Sequence, residues 1–517
     1  MRQISTDVLV VGAGPAGLTA ALRSAEYGHR TICIEKKNET GGAQYGGMGP
    51  FAAGSRFQKE AKLEGCSPRD AFLALMDHSK WRTDAALTSA FVNHSAEMID
   101  WLADEGVLFR KMDGSEPMMF GPPPAAEGED PKPEAPAEEP EKKPNPMGNY
   151  SHSFKMRPEY ADKCDARGMY ITMLLTDRLL AHENAELRLE TAADYLLLRD
   201  GAVVGAKCHN KDGDFEISAR AVVLAAGGFA GNAEMVSTYT SFHLNEDLFY
   251  THPQPNVTGD GLRMAWEAGA GKSHMMMDIY KGMPIFGGPA GTKNEWLLLS
   301  NPNLMVNRSG VRFVAEDCER YAMGNAIHAQ PGGCGFMIID ETIADEYRAA
   351  GPFPGPDNAT CLADLDEIFA EAQAMHYPYV FAADSLEELC QQTGIRLEGL
   401  KQAIADYNAL CDAGEDTQFY KSPEYLKPLH GPRYYAAQFF CDSFGGLGGI
   451  KINPSTEVVT EENEVIPGLF AAGSDVNSIY ADTYPQHLSG NTTGFAYTTG
   501  LIASDNVHQY LTRTEER

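Results

Sequence analysis

The chain reads as an α/β protein, and three features predict it. A buried strand at Thr6–Val11 runs into the glycine turn Gly12–Gly17 and a helical run from Leu18 to Tyr27, and a second strand follows at Arg30–Glu35. A second apolar run begins at Ala221 and stops at the paired glycines Gly227 and Gly228. Glycine-rich strand–turn patterns then return at 444–491, after a mixed stretch at 278–432 that holds no phosphate loop. A final helix is expected from Thr493 to Leu511.

The first of these features carries chemistry. Gly12, Gly14 and Gly17 form G-x-G-x-x-G between strand and helix. The first glycine permits the tight turn, the second lets backbone approach a pyrophosphate, and the third lets helix and strand pack closely. The pyrophosphate would sit at the helix N-terminus, where amide groups and the helix dipole favour an anion. Glu35 closes the second strand and can hydrogen-bond the hydroxyls of an adenosine ribose while repelling a 2′-phosphate. A dinucleotide site follows. The motif alone does not choose between FAD and NAD.

Composition excludes other classes. The chain has 517 residues, enough for two or three domains. Its 72 acidic residues against 42 Lys and Arg give a formal charge of -30, which offers no footprint for nucleic acid and none for an anionic membrane surface. No apolar run is long enough to span a bilayer, and no secretory leader is evident at the N-terminus. None of the 10 cysteines forms a CxxC pair, so a zinc ribbon, an iron–sulfur cluster, a c-type haem or any other metal site is not expected, and a reducing, cytoplasmic setting is. Residues 121–149 contain nine prolines among Ala, Glu and Lys and read as a mobile insertion that cannot bury a core.

Further segments narrow the choice. They are Lys36-Lys37, Gly41-Gly-Ala-Gln-Tyr-Gly-Gly-Met48, Val223-Leu-Ala-Ala-Gly-Gly-Phe-Ala230, Thr258-Gly-Asp-Gly261, Asn303 to Glu316, Ile466 to Gly473, and Leu488-Ser-Gly-Asn491. In this order they resemble the flavoprotein subunits of the fumarate reductase/succinate dehydrogenase family, with its urocanate reductase, enoate reductase and 3-ketosteroid dehydrogenase relatives. The resemblance implies a Rossmann-like FAD-binding domain, split into 1–277 and 433–517, around an inserted α+β capping domain at 278–432. It implies FAD contacts at Gly12, Gly14, Ala16, Gly17, Glu35, Lys36, Gly41, Gly42, Gly46, Gly47 and Met48. Further contacts fall on Ala193, Ala226, Gly227, Gly228, Asp260, Gly473, Asp475, Gly490, Asn491 and Thr492. Asp475 lies near the family's ribityl-binding acid, although Ser474 stands where the family has Glu. Some members attach FAD through a His in the loop after the second strand; residues 38–48 contain none, so non-covalent FAD is expected.

The resemblance also implies chemistry. In the reductases a hydride passes from flavin N5 to one carbon of an activated alkene, and an arginine protonates the other. That arginine lies eight residues beyond the first Arg of an R-F-x-x-E block; here the block is Arg312-Phe-Val-Ala-Glu316 and the position is Arg320. Glu316 would share a face with Arg320 if the stretch is helical. The fumarate anchors are altered: Asp442-Ser-Phe-Gly-Gly holds no His, His487 replaces an Arg, and no His stands near Met283. Glu295 is the only acid near the position of the family's relay pair. Tyr280, Phe286, Tyr480 and Tyr484 would suit a small planar unsaturated substrate. The expected function is therefore FAD-dependent reduction of the C=C bond of an aryl acrylate or enone rather than fumarate, with Arg320, Glu316, His487, Tyr484 and Tyr280 in the site. Electrons would come from a separate donor protein or a reduced flavin or quinol system. Two alternatives stay open: a 3-ketosteroid dehydrogenase-like enzyme using Tyr280 or Tyr484, and a non-catalytic electron-transfer subunit.

Overall fold

A computed structural model describes residues 2–42, 49–112, 150–161, 163, 169–244, 248–249, 256–282, 301–350, 379–485 and 487–515. Gly46, Gly47, Met48, the 121–149 insertion, Phe286 and Glu295 lie outside the described residues. The chain divides into two compact units: one of Met1–Thr240, Gln254–Met277 and Gly445–Arg517, the other of Ser241–Pro253 and Asp278–Phe444.

In the first unit an eight-stranded sheet runs Glu457–Val459, Val465–Ala471, Gly213–Leu224, Arg2–Val11, Thr31–Ile34, Ala185–Arg188, with Ala192–Arg199 and Ala202–Asn210 added as a hairpin beside Gly213–Leu224. Arg2–Val11 is parallel to both neighbours, Val11 lying opposite Ile34 on one side and Leu224 on the other. Both faces are covered at its C-terminal end, which is why Val8–Val11 is a continuous apolar run. Helix Pro15–Glu26 covers one face, and helix Asn491–Glu515 packs along it: a Cβ on Gly500 would come within 2.5 Å of the Ala16 carbonyl, and the Ser24 and Ser504 hydroxyls meet at 3.0 Å.

In the second unit the stretch Tyr434–Phe439 is a central strand. It pairs antiparallel with Gly335–Asp340, Phe439 opposite Gly335, and also with Val380–Ala383. Helices Leu386–Thr393 and Leu397–Ala413 belong to this unit, and their apolar faces join its core through Leu389, Leu400 and Ile404. A buried ionic cluster sits beside that core. Arg312 makes paired bonds to Glu316 (2.9 and 2.8 Å) and to Asp416 (3.1 and 2.7 Å), and Lys421 reaches Glu316 at 3.3 Å and the Tyr407 hydroxyl at 2.7 Å. Two cations and two carboxylates balance, the condition under which buried charge is tolerated. Burial pushes the Asp416 carboxyl up, but Arg312 and three backbone N–H groups more than reverse this and hold it well below the usual carboxylate range.

Candidate active site

The glycine turn of the first unit is built for close approach. Gly12 has φ +103°, and a Cβ there would lie 2.3 Å from the Ala225 carbonyl oxygen; a Cβ on Gly17 would lie 1.8 Å from that of Gly12. The N-cap residue Gly14 supplies no side-chain cap, so the first amides of helix Pro15–Glu26 are left to a ligand. Glu35 is buried, and its carboxylate accepts the Ala13 N–H and the Lys37 N–H, each at 2.9 Å. Each oxygen of a carboxylate has a second lone pair, so these bonds orient Glu35 and leave capacity for a hydroxyl donor.

Of the other expected cofactor residues of this unit, Gly41, Gly42, Ala16 and Gly473 lie at this turn. The Gly41 N–H donates to the Ala13 carbonyl at 2.9 Å, and a Cβ on Gly42 would come within 3.1 Å of Gly14 Cα. Lys36 Nζ bonds Thr258 Oγ1 and Asp260 Oδ2, both at 2.8 Å. Thr191 N–H bonds the Glu35 carbonyl at 2.8 Å, which brings the start of the Ala193 strand beside Glu35. Ala16 lies against Gly473, where a Cβ would meet its methyl at 2.8 Å. Gly227 and Gly228 follow Ala226 in the turn that ends Gly213–Leu224.

Asp475 holds the backbone of a neighbouring turn. It is fully buried, and its two oxygens accept the backbone N–H groups of Ala226 (2.6 Å) and Gly228 (2.8 Å). The carboxylate therefore splints the Ala226–Gly228 turn, and as with Glu35 each oxygen keeps a lone pair for a hydroxyl donor. Burial pushes its pKa up to about 6, against the pull of those two bonds.

At the start of helix Asn491–Glu515, the Gly490 carbonyl accepts Phe51 N–H at 3.0 Å and Asn491 Oδ1 accepts the Tyr480 hydroxyl at 2.7 Å. Among the described residues Asn491 Nδ2 is buried without a hydrogen-bond partner. Tyr484 lies one turn away, its hydroxyl accepting Thr492 N–H at 3.2 Å. An orphaned buried amide, an uncapped helix terminus and a glycine cradle fit a large polar cofactor, and the residues that would hold FAD are these.

His487 is exposed, with its ring 5.6 Å from that of His78, whose Nε2 donates to the Thr483 carbonyl at 2.9 Å. Desolvation of the ring, and then the neighbouring His78, hold its pKa below the ordinary imidazole value. Asp482, in the same loop, is bound by Arg82 and by His274 at 2.6 Å. Sequence reasoning missed these loop anchors, which lie on three separate segments.

In the second unit the structure brings Arg320 and Tyr280 together. The guanidinium carbon lies 4.2 Å from the Tyr280 ring centroid, and Arg320 Nε donates to the Lys281 carbonyl at 3.4 Å. Helix Arg320–His328 can approach strand Met276–Gly282 this closely because residue 324 is Gly: a Cβ there would stand 2.7 Å from Tyr280 Cα. The Tyr280 ring is buried and stacks on Phe444 at 4.5 Å, while its hydroxyl donates to Asp442 at 2.8 Å. Asp442 and Asp278 are both buried, and Asp278 accepts the Ser443 hydroxyl at 2.6 Å.

Glu316 requires correction. Helix Arg320–His328 begins at Arg320 with Glu319 as N-cap, so Glu316 precedes it and shares no helical face with Arg320. Its carboxylate belongs to the Arg312–Asp416–Lys421 cluster and also accepts Met305 N–H at 3.1 Å. That places it in the support of the unit. Two groups the sequence reading passed over stand beside Arg320 and Tyr280: Lys281 and Asp442. The only signal for Lys281 was a lone cation in an apolar strand run.

Comparison with known proteins agrees with this picture. A family model described as an FAD binding domain matches residues 7–492. The chain is similar to the vinyl phenol reductase of Lactiplantibacillus plantarum, 27% identical over 98% of this chain and 97% of that protein. It is also similar to the fumarate reductase (cytochrome) of Shewanella frigidimarina, 27% identical over 98% of this chain and 77% of that one. Among solved structures, 3-ketosteroid delta1-dehydrogenase from Sterolibacterium denitrificans shares the fold with a TM-score of 0.75 at 20% identity, over 98% of this chain and 99% of that chain. Among the described residues no helix is long and apolar enough to cross a membrane.

Proposed function

The chain belongs to the FAD binding domain family and is an FAD-dependent oxidoreductase acting on CH–CH bonds, and from that premise we propose that it reduces the C=C bond of an aryl-conjugated alkene or enone, with Arg320 as proton donor. FAD, when bound and reduced, supplies the hydride from N5. The observation that carries the assignment is Arg320 itself, seated at 4.2 Å on a buried aromatic ring and bonded through Nε to a main-chain carbonyl. A ring face worth about 1–2 kcal/mol fixes the position of a guanidinium and preserves its charge. A positioned acid is worth roughly 10²–10⁴ in rate.

The same geometry disfavours a dicarboxylate. Asp442 occupies the segment in which the family resemblance has a histidine anchor, and it presents a buried carboxylate bound to Tyr280. Asp278 adds a second. A substrate with two carboxylates would meet these carboxyl groups without the missing His and Arg, whereas a planar aromatic alkene gains from Tyr280. A tyrosine base is less suited here, because a Tyr280 phenolate would face Asp442 at hydrogen-bond distance. The chain carries no haem or iron–sulfur motif, so electrons reach it from a separate reductant.

The test is reoxidation of chemically reduced holoenzyme by a panel of fumarate, urocanate, cinnamate, caffeate, 4-vinylphenol and enone steroids. Fast reoxidation by an aryl alkene or enone, abolished in Arg320→Ala, is expected. Fumarate as the fastest acceptor would overturn the substrate assignment.

A further inference from the structure

The side chain of Asn491, at the start of helix Asn491–Glu515, is fully buried, and among the described residues its Nδ2 has no hydrogen-bond partner. An amide NH2 carries two donors, and burying them unmet is costly. The other arm of the same planar group is engaged, because the Tyr480 hydroxyl donates to Oδ1 at 2.7 Å. An amide oxygen can only accept, so this contact settles which way the amide faces: Oδ1 towards Tyr480 and Nδ2 away from it. Sequence alone places Tyr480 with the aromatic residues that suit a planar substrate; the fold turns its hydroxyl to Asn491.

Neither partner has room to turn. Tyr480 is fully buried, its ring 5.4 Å from that of Tyr484 and 6.2 Å from that of Phe495. The backbone just before Asn491 is pressed against the segment 49–51: a Cβ on Gly490 would lie 2.1 Å from the Gly49 carbonyl oxygen, and the Gly490 carbonyl accepts Phe51 N–H at 3.0 Å. The following amide is already served, Thr492 N–H donating to the Tyr484 hydroxyl at 3.2 Å. Asn491 Nδ2 therefore stands as a fixed donor at the N-terminus of a 25-residue helix, where the dipole favours an acceptor.

We propose that Tyr480 is a positioning residue for FAD: by holding Oδ1 it presents Asn491 Nδ2 as a hydrogen-bond donor to an acceptor atom of the cofactor. This rests on FAD binding by the first unit and is independent of Arg320. Its contribution is preorganisation, since the donor is aimed before the cofactor arrives and no rotamer freedom is lost on binding. A phenylalanine at 480 would fill the same volume but leave the amide free to turn Oδ1, an acceptor, towards the cofactor.

The test uses holoenzyme of wild type, Tyr480→Phe, Asn491→Ala, the double variant and Asn491→Asp. Each is diluted at pH 8, and the Kd for FAD is read from the fluorescence of released flavin at equilibrium. Tyr480→Phe is expected to raise Kd about three- to tenfold, the worth of one neutral hydrogen bond. Asn491→Ala removes the donor itself and should raise Kd tenfold or more. Adding Tyr480→Phe to Asn491→Ala should then change Kd less than twofold, because the hydroxyl has no amide left to orient; a hydroxyl that served packing alone would cost the same in both backgrounds. Asn491→Asp keeps the bond to Tyr480 but sets an acceptor where the donor stood, and should bind FAD more weakly than Asn491→Ala. A Tyr480→Phe holoenzyme with Kd within twofold of wild type overturns the proposal, whatever the Asn491 variants do. So does an equal loss from Tyr480→Phe in both backgrounds, or an Asn491→Asp variant that holds FAD as tightly as wild type.

Discussion

Removing the Asp475 carboxylate should loosen the cofactor cradle, with an effect set by two opposing terms. In Asp475→Ala, the Ala226 and Gly228 N–H groups lose their acceptors in a fully buried place. An unsatisfied buried donor costs about 1–3 kcal/mol, so the pair costs roughly 2–6 kcal/mol. Against this, the wild-type protein carries a buried charge. The carboxyl pKa rises from 3.8 to about 6, a difference of about 2.2, which at 1.36 kcal/mol per unit makes the ionised form unfavourable by roughly 3 kcal/mol.

Asp475→Asn separates these terms. It removes the charge and keeps one acceptor but turns an NH2 towards the other N–H donor. The sign with pH follows from a folded pKa above the unfolded one. The protonated carboxyl's advantage is fully present below 3.8 and is lost as pH rises through about 6. Wild type should therefore gain stability on Asp475→Asn by roughly 3 kcal/mol as pH falls across that window. Urea unfolding of both proteins at pH 3.8 to 7 measures the difference, and flavin absorbance after purification reports the cradle. Asp475→Ala is expected to purify with less flavin than wild type. A wild-type-minus-Asn difference that stays constant from pH 3.8 to 7 would show that the carboxylate is solvated, and the reasoning from burial would fail.

Other perturbations have equally definite outcomes. Gly17→Ala forces a Cβ into the Gly12 carbonyl and should yield colourless protein, seen directly in the visible spectrum. Arg312→Met leaves Glu316 and Asp416 facing a single lysine and should cost about 3–5 kcal/mol, read as a lower urea midpoint. Tyr280→Phe keeps the ring beneath Arg320 and should change turnover less than tenfold, whereas Tyr280→Leu removes the platform and should cost about 10-fold or more, given a cation–π contact of about 1–2 kcal/mol. A greater than hundredfold loss in Tyr280→Phe would instead favour a tyrosine acid or base.

Much of the dinucleotide half was legible in the amino-acid order because its determinants are local. The alternation from apolar strand to glycine turn to helix spans about thirty residues, and each glycine is required by an approach within or next to that unit, as Gly12 and Gly17 illustrate. Ala16, Glu35, Gly41 and Asn491 are parts of that turn and of the helix ends. The block with a fixed register singles out Arg320 but not its place at a helix start, since that reading puts Glu316 on the same helical face.

What tertiary structure decided is where each charge finds its partner. Glu316 and Arg312 are close in sequence, but their cluster is completed by Asp416 and Lys421 about a hundred residues later, and no local pattern announces that meeting. Asp475 meets Ala226 and Gly228 because the strand ends at 224 and 471 lie side by side in the sheet. The physical reason is one of range. Period and glycine placement act over one or two turns of chain, whereas a buried charge is stabilised or penalised by whichever elements the fold brings around it.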